Sequence, residues 1–308
     1  MTPPAQSLRG FTLVEMIMVI VLTGIIAGMV AVFIKSPIDS YVDMARRAEL
    51  TDIADTAVRR MARDFRLALP NSVRNPVNDS DQCIEFMPTK TGGRYRVDQT
   101  GTSTGDILDF TAVTPDASFD MLGLNSSLAT SAQIIAGDVV VIYNDGSSSG
   151  NAYTGSNAIE VAAGGVTAGA TSNTTKLTFV AASGGTIFVR KQFPSTSPSY
   201  RFKVLPSAAQ VVSYACSGGT LYRYARDIKA RTAAWSQPAD CAAMTSGATA
   251  AILATRIGTG ASDCSIKYDP PGSGTGTGRF GMISISLTAT QTGETVNLYH
   301  QVHVDNTP

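Results

Sequence analysis

A membrane-length apolar run near the N-terminus constrains this chain of 308 residues more than any other feature. From Met16 to Ile34 no residue is charged. At 1.5 Å per residue the run makes about 28 Å of helix, which is enough to cross the hydrocarbon core of a bilayer. Arg9 precedes the run, so the positive-inside rule directs the N-terminus toward the cytoplasm. We therefore expect one transmembrane helix over residues 11–35, with the rest of the chain on the far side.

One carboxylate, Glu15, stands at the start of this run. A charge at bilayer depth costs about 2.5–3.5 kcal/mol on insertion scales, so a carboxylate at this position suggests a functional role. A secretory signal peptide is a poor explanation, because its apolar region is shorter and free of carboxylates. A plain single-span anchor fits the length, but it leaves Glu15 unexplained unless the side chain snorkels to the interface without a partner.

The segment GFTLVE, Gly10 to Glu15, resembles the N-terminal signal of type IV pilins and type II secretion pseudopilins. The resemblance implies that residues 1–10 are a leader, that prepilin peptidase cleaves after Gly10, and that it methylates the new N-terminus at Phe11. It also implies that Glu15 pairs with the N-terminal amine of a neighbouring subunit in a filament. Pairing would relieve the cost of a lone carboxylate in lipid. The implied partners are prepilin peptidase, other minor and major pilins, the inner-membrane assembly platform and membrane lipid.

A second helical pattern follows over residues 36–69. Pro37 predicts a bend, and Pro70 with Asn71 predicts the end of the helix. Apolar residues at helical spacing predict one buried face, namely Ile38, Val42, Ala45, Ile53, Ala57, Met61, Phe65 and Ala68. Basic residues are interspersed with Asp55 and Asp64, which favours a solvated helix face over a binding patch; they are Arg59, Arg60, Arg63 and Arg66.

The remainder, residues 70–308, reads as a β-rich globular domain, so we expect an α+β fold with a long helix packed on a mainly antiparallel sheet. Gly218-Gly219 and the segment 291–294 predict tight hairpin turns. Two low-complexity segments, 144–157 and 270–278, are expected to be mobile loops outside the core. Predicted strands cover 83–87, 107–113, 138–143, 176–181, 186–190, 200–205, 209–216, 220–226, 264–268, 281–290 and 294–304.

The cysteines indicate disulfides in an oxidising compartment, because all four follow the apolar run and none forms a C-x-x-C pair. Four cysteines allow three pairings. We expect Cys216 to pair with Cys241 across a short loop, which leaves Cys83 with Cys264. Buried free thiols are the alternative.

Catalytic, metal-binding and nucleic-acid-binding signals are weak. The net charge is zero, with 24 basic and 24 acidic residues, which argues against nucleic acid. His300 and His303 lie three apart on a predicted strand, so they point to opposite faces and do not suit a shared metal. The loop at 144–157 lacks EF-hand spacing. We therefore expect no enzyme activity, no cofactor and no metal, and we read Trp235 as a packed loop residue.

Several segments of the body also resemble the J class of minor pilins and, within it, biogenesis subunits of mannose-sensitive haemagglutinin (MSHA) pili. They are residues 63–74, 83–96, 197–204 and 294–308. This resemblance implies a subunit of the bacterial inner membrane, with a periplasmic body, that helps to start pilus assembly or sits near the tip. Three alternatives stay open: a type II secretion pseudopilin, a tip adhesin whose β domain binds a glycan or a surface, and an anchored periplasmic enzyme.

Overall fold

The computed structural model describes residues 10–78, 81–99, 104–182, 185–272 and 280–308. Leader residues 1–9 and residues 273–278 of the second low-complexity segment lie outside the described residues. The chain divides into two units, Met1–Glu49 and Leu50–Pro308. The fold is α+β, as the sequence predicts: a long N-terminal helix, α1 (Leu13–Arg66), is followed by antiparallel sheets.

In the first unit the described chain is almost entirely helix, because α1 continues unbroken through Pro37. Its most apolar stretch has a mean hydropathy of 2.9 and is 0% buried. By length and composition this part of the helix can cross a membrane. Large apolar side chains such as Ile20 and Phe33 are exposed within the described chain. Such a surface suits lipid or other helices rather than water.

In the second unit α1 buries the face that the sequence predicts, but only from Leu50 onward. Ile38 and Val42, which begin the predicted stripe in the first unit, are exposed. The buried apolar side chains of the helix are Leu50, Ala54, Ala57, Val58, Met61, Ala62 and Phe65.

The helix ends earlier than Pro70, at Arg66, because the backbone that follows pairs with an extended segment. The Leu69 amide donates to the Met87 carbonyl at 2.8 Å, and the Thr89 amide donates to the Leu67 carbonyl at 2.7 Å. These bonds replace the intrahelical partners that the last residues would otherwise need.

The described body contains strands and one further short α-helix, α2 (Cys241–Thr245). Short 3-10 turns lie at Asn125–Ser127, Thr130–Ala132, Ala152–Thr154 and Pro198–Tyr200. The strands are β1 (Cys83–Phe86), β2 (Thr91–Arg94), β3 (Ser118–Leu122), β4 (Val139–Val141), β5 (Ala158–Ala168), β6 (Thr174–Phe179), β7 (Arg201–Leu205), β8 (Val211–Ser217), β9 (Thr220–Arg226), β10 (Thr249–Thr255), β11 (Cys264–Asp269), β12 (Phe280–Gln291) and β13 (Glu294–Asp305).

Antiparallel pairing arranges these strands in three sheets. Their orders are β1-β8-β9-β10, β11-β12-β13, and β2-β7-β4-β5-β6-β3. Two predicted hairpins are confirmed: Ser217 pairs with Thr220, and Gln291 pairs with Glu294. Both central residues of each turn have positive φ, which is the geometry of a type I′ turn.

The buried face of α1 packs on the first two sheets. One cluster joins helix residues such as Met61 and Phe65 to Ile84, Tyr214 and Ile285 of the strands. Asn75 links these sheets, because its Nδ2 donates to the Cys83 carbonyl at 2.7 Å and to the Ile266 carbonyl at 2.9 Å. The six-stranded sheet has its own aromatic core, which includes Tyr95, Phe119, Phe179, Phe193 and Phe202.

Some strand predictions are wrong, and some strands carried no usable signal. Residues 107–113 and 186–190 form turns and irregular chain, although both segments are apolar. The missed strands, β2, β3, β5 and β10, contain Gly, Ala or Asp where a β pattern calls for branched or aromatic residues. Pairing with neighbours decides their state.

The expected pairing of Cys216 with Cys241 and of Cys83 with Cys264 is wrong. Cys83 of β1 bonds to Cys241 at the start of α2, and Cys216 of β8 bonds to Cys264 of β11. The chain before Cys241 runs beside residues 77–78, where Val77 donates to the Pro238 carbonyl and Asn78 to the Ala239 carbonyl. This return path brings Cys241 to Cys83.

The polar segment 144–157 contributes to the core, whereas its composition predicts a mobile loop outside the core. Ala152 is 0% exposed and Tyr153 is 3% exposed, and both belong to a core cluster with Val139 and Leu205. The buried Asn144 side chain donates to the Pro70 carbonyl at 2.6 Å and accepts from the Ala152 amide at 2.8 Å. Internal hydrogen bonds therefore allow a Gly- and Ser-rich segment to close over apolar residues.

Candidate assembly site at the N-terminal helix

The predicted processing site lies at the start of α1. Gly10 and Phe11 precede the helix, and Thr12 is its N-terminal cap. The Glu15 amide donates to the Thr12 hydroxyl oxygen at 3.3 Å, and the Met16 amide donates to the Thr12 carbonyl at 3.2 Å. Threonine at the cap and glutamate three residues later is the sequence pattern of a capping box. The segment TLVE therefore starts the helix at a fixed residue.

The side chains assigned to N-methylation and to assembly, Phe11 and Glu15, are accessible. Phe11 is 78% exposed, and Glu15 is exposed in the first turn of the helix. Among the described residues, no hydrogen-bond or ion-pair partner is found for the Glu15 carboxylate. A carboxylate near a helix N-terminus interacts favourably with the helix dipole, but that effect is worth only about 0.3–1 kcal/mol. The site can therefore accept a cation from outside the chain.

Sequence reasoning missed the pair Gly24 and Gly28, which lie one helical turn apart in the apolar run. Apart from adjacent backbone of the same helix, no atom of the described residues lies within 4 Å of the place where a Cβ of either glycine would be. Small residues at this spacing allow the backbones of two membrane helices to approach closely. This face of α1 is compatible with helix–helix packing.

The two histidines, which are the candidate metal ligands in the sequence, lie on the last strand. On β13, His300 is half-buried and His303 is exposed, which agrees with opposite faces of the strand. Within the part of the chain that the structure describes, no group of three or more His, Cys, Asp or Glu residues is arranged to hold a metal ion.

The structure also reveals a buried charge that sequence reasoning missed. Glu85 in β1 is 0% exposed, and its carboxylate accepts from Arg74 Nε at 2.7 Å and from the Trp235 indole at 3.1 Å. Burial raises the pKa of Glu85 above its ordinary value, and the Arg74 charge opposes that shift. The Arg74 guanidinium stacks on the Tyr153 ring at 3.6 Å. The single carboxylate in the apolar segment CIEFM was the available signal.

Comparison with known families supports the prediction for the N-terminus. The family model of the prokaryotic N-terminal methylation motif matches residues 7–31. This match supports the class of type IV pilin-like and pseudopilin subunits, and such a motif implies processing by prepilin peptidase and assembly with pilin partners. The exposed apolar helix fits a membrane-anchored pilin. Comparisons with curated proteins and with solved structures return no match.

Proposed function

We propose that this chain is a minor pilin of an MSHA-type pilus, similar to the biogenesis protein MshO, that helps to start assembly or sits near the tip. It is a non-enzymatic subunit held in the bacterial inner membrane by residues 11–35, with its body in the periplasm. The observation that carries the proposal is the prepilin-type motif over residues 7–31, joined to an apolar helix and an exposed Glu15.

The physical role of each residue follows from the cost of a charge in lipid. Cleavage after Gly10 would create an amine at Phe11, about one helical turn from Glu15. In a filament, the Glu15 carboxylate would accept a hydrogen bond from the protonated N-terminal amine of a neighbouring subunit. An isolated carboxylate at bilayer depth is penalised by about 2.5–3.5 kcal/mol on insertion scales, and pairing removes much of that penalty. Because Glu15 is proposed to pair with the amine of another subunit, we expect this subunit to have a neighbour on the side of its carboxylate.

The first test is the N-terminal residue and intact mass of the chain from membranes of a host with its own prepilin peptidase. We expect a methylated Phe11. An intact Met1 would leave a plain anchor, and a start near Val32 would indicate an ordinary signal peptide; either result would overturn the proposal.

The second test concerns assembly. Glu15→Ala should insert into the membrane and be cleaved, yet it should be missing from sheared filaments. Asp39→Ala is the matched control, because it removes an exposed carboxylate farther along the same helix. Normal incorporation of Glu15→Ala would remove the role of this residue.

Recovery of the wild-type chain with a secretion pseudopilus, rather than with MSHA-type pili, would favour the type II secretion alternative.

A further inference from the structure

The last strand presents a long open edge. β13 pairs with β12 through twelve consecutive residues without a bulge, from Glu294 to Asp305, and it stands at the end of its sheet. Its outer edge pairs with no strand among the described residues. A free edge exposes backbone donors and acceptors that another extended chain can use.

The other described sheet edges differ from β13. β10 carries an irregular register between Ile252 and Ala254, which disrupts an edge. The Ile266 amide of β11 donates to the Asp81 carbonyl at 2.7 Å, so that edge is partly used. β1 and β2 have only four residues each, and β3 has five. Lysine, proline, bulges and short length are among the devices that protect an edge, and β13 has none of these four.

A groove of about 670 Å³ runs between this strand and α1. Its apolar lining comes from Val58 and Ala62 of the helix and Leu298 of the strand. Tyr299 and His300 complete the strand side, and Arg59, Arg63 and Arg66 line the helix side together with Asp55. The groove therefore combines an open backbone edge, an apolar lining and a row of cations.

The charges of the groove indicate its occupant. Arg59 pairs with Asp55 at 2.6 Å, whereas no carboxylate of the described residues forms an ion pair with Arg63 or Arg66, and both arginines are exposed. Arg63 and Arg66 are three residues apart, which is about 4.5 Å along the helix axis. Alternate residues of an extended strand are separated by about 6.6 Å, and their side chains share one face. Carboxylates at alternate positions of an added strand are therefore about 2 Å farther apart than the two arginines, and the long arginine side chains can span that difference. A second copy of this chain would bring its own arginines, so charge repulsion disfavours it.

We propose that an extended, acidic segment of a partner protein adds to the free edge of β13 and directs alternate carboxylates at Arg63 and Arg66. Backbone hydrogen bonds to the strand supply affinity, and the arginines select the sign of the partner's charge. This inference concerns the body and is independent of the processing and assembly roles of Gly10, Phe11 and Glu15.

The test uses the full chain in a zwitterionic detergent and a labelled decapeptide that alternates glutamate with valine or threonine. We expect saturable binding that weakens with salt, together with slower amide exchange in residues 294–305. Arg63→Glu combined with Arg66→Glu should weaken binding about tenfold or more. Arg60→Glu is the matched control, because Arg60 is exposed on the same helix but does not line the groove, and binding should stay within about twofold.

Two altered peptides separate edge pairing from simple charge attraction. A decapeptide with lysine in place of glutamate should not bind, and one with four N-methylated central residues should bind at least about tenfold more weakly, because it lacks backbone donors. The proposal is overturned if the acidic decapeptide does not bind, if N-methylation has no effect, or if the groove and control variants bind alike. Protection of β13 that depends on protein concentration without peptide would instead assign the edge to a second copy.

Discussion

The Tyr214 hydroxyl donates a hydrogen bond of 2.7 Å to the Asp64 carboxylate, and this contact ties α1 to the centre of the β1-β8-β9-β10 sheet. Arg223 Nε donates to the same carboxylate oxygen at 2.9 Å. Burial, together with the nearby Asp64 charge, raises the pKa of Tyr214 above its ordinary value, so the hydroxyl keeps its proton. The helix register in the body is therefore held by a charged contact as well as by apolar packing.

The first prediction concerns this contact. Tyr214→Phe should lower the free energy of unfolding by about 1 kcal/mol, and Asp64→Ala by about 1.5–3 kcal/mol, because the second change leaves Arg223 without its carboxylate. Urea unfolding, monitored by the fluorescence of Trp235, the single tryptophan of the chain, measures both changes in the free energy of unfolding. Asp55→Ala is the control, since its partner Arg59 is 78% exposed and the change should cost less than about 0.5 kcal/mol. Equal losses for Asp55→Ala and Asp64→Ala would contradict the prediction.

The second prediction concerns the pH dependence of the Arg74–Glu85 pair. Arg74→Ala should lower the free energy of unfolding by about 3–5 kcal/mol at pH 7, because it leaves a buried carboxylate without its cation. A carboxyl whose pKa is raised in the folded state favours folding when protonated. That contribution is present below its unfolded pKa and is lost as pH rises through the folded pKa. Without Arg74 the folded pKa of Glu85 rises further, so the loss should be smaller near pH 4.5 than at pH 7.

Unfolding curves at the two pH values test this expectation. The double variant Arg74→Ala with Glu85→Gln is the control, because a neutral amide has no buried charge to expel. It should recover part of the stability at pH 7 and lose most of the pH dependence. A loss in Arg74→Ala that is the same at both pH values would show that Glu85 does not govern it.

The third prediction concerns the disulfides. In Cys241→Ser, thiol labelling of the denatured chain under non-reducing conditions should mark Cys83, which is buried in the folded chain, while Cys216 and Cys264 stay linked. Peptide mass mapping identifies the labelled residue. The variant should lose about 2–4 kcal/mol of stability, because the missing link closes a long loop of the unfolded chain. Labelling of Cys216 in this variant would instead show that Cys216 is the natural partner of Cys241.

The fourth prediction concerns processing. Gly10→Leu should block cleavage by prepilin peptidase, whereas Gly10→Ala should be a weaker lesion, because the enzyme must accommodate the side chain beside the scissile bond. Intact mass of the membrane-extracted chain separates cleaved from uncleaved protein. Equal processing of Gly10→Leu and the wild-type chain would remove the cleavage site from Gly10.

The hairpin at Gly218-Gly219 shows how far local sequence reaches. Two glycines between alternating strands tolerate the positive φ that a type I′ turn requires. The pairing of Ser217 with Thr220 is therefore predictable from the sequence. The strand TGGR, β2, shows the limit, because its two glycines carry no β preference. Gly93 lies so close to the Phe202 ring that a Cβ would approach it to 2.9 Å, so packing against β7 places this strand.

The residues of the candidate N-terminal motif could be picked out from the sequence, because they are contiguous, and their roles in processing and assembly stay predictions. Gly10, Phe11, Thr12 and Glu15 fall within six residues, and the apolar run follows at once. The groove beside β13 could not be predicted, since Arg63 and Leu298 are more than 230 residues apart in sequence. Helical periodicity identifies the arginines as exposed, but it does not indicate which strand edge lies next to them.

Local sequence is enough to predict the apolar helix, its carboxylate, the α+β class and most strands, because periodicity and turn chemistry are local properties of the chain. Local sequence does not predict the end of α1 at Arg66, the bond between Cys83 and Cys241, the burial of Glu85 or the open edge of β13. Each of these depends on which distant segments become neighbours. A backbone amide, a thiol or a carboxylate is satisfied by the partner that the fold brings within a few ångströms, not by the one nearest in sequence.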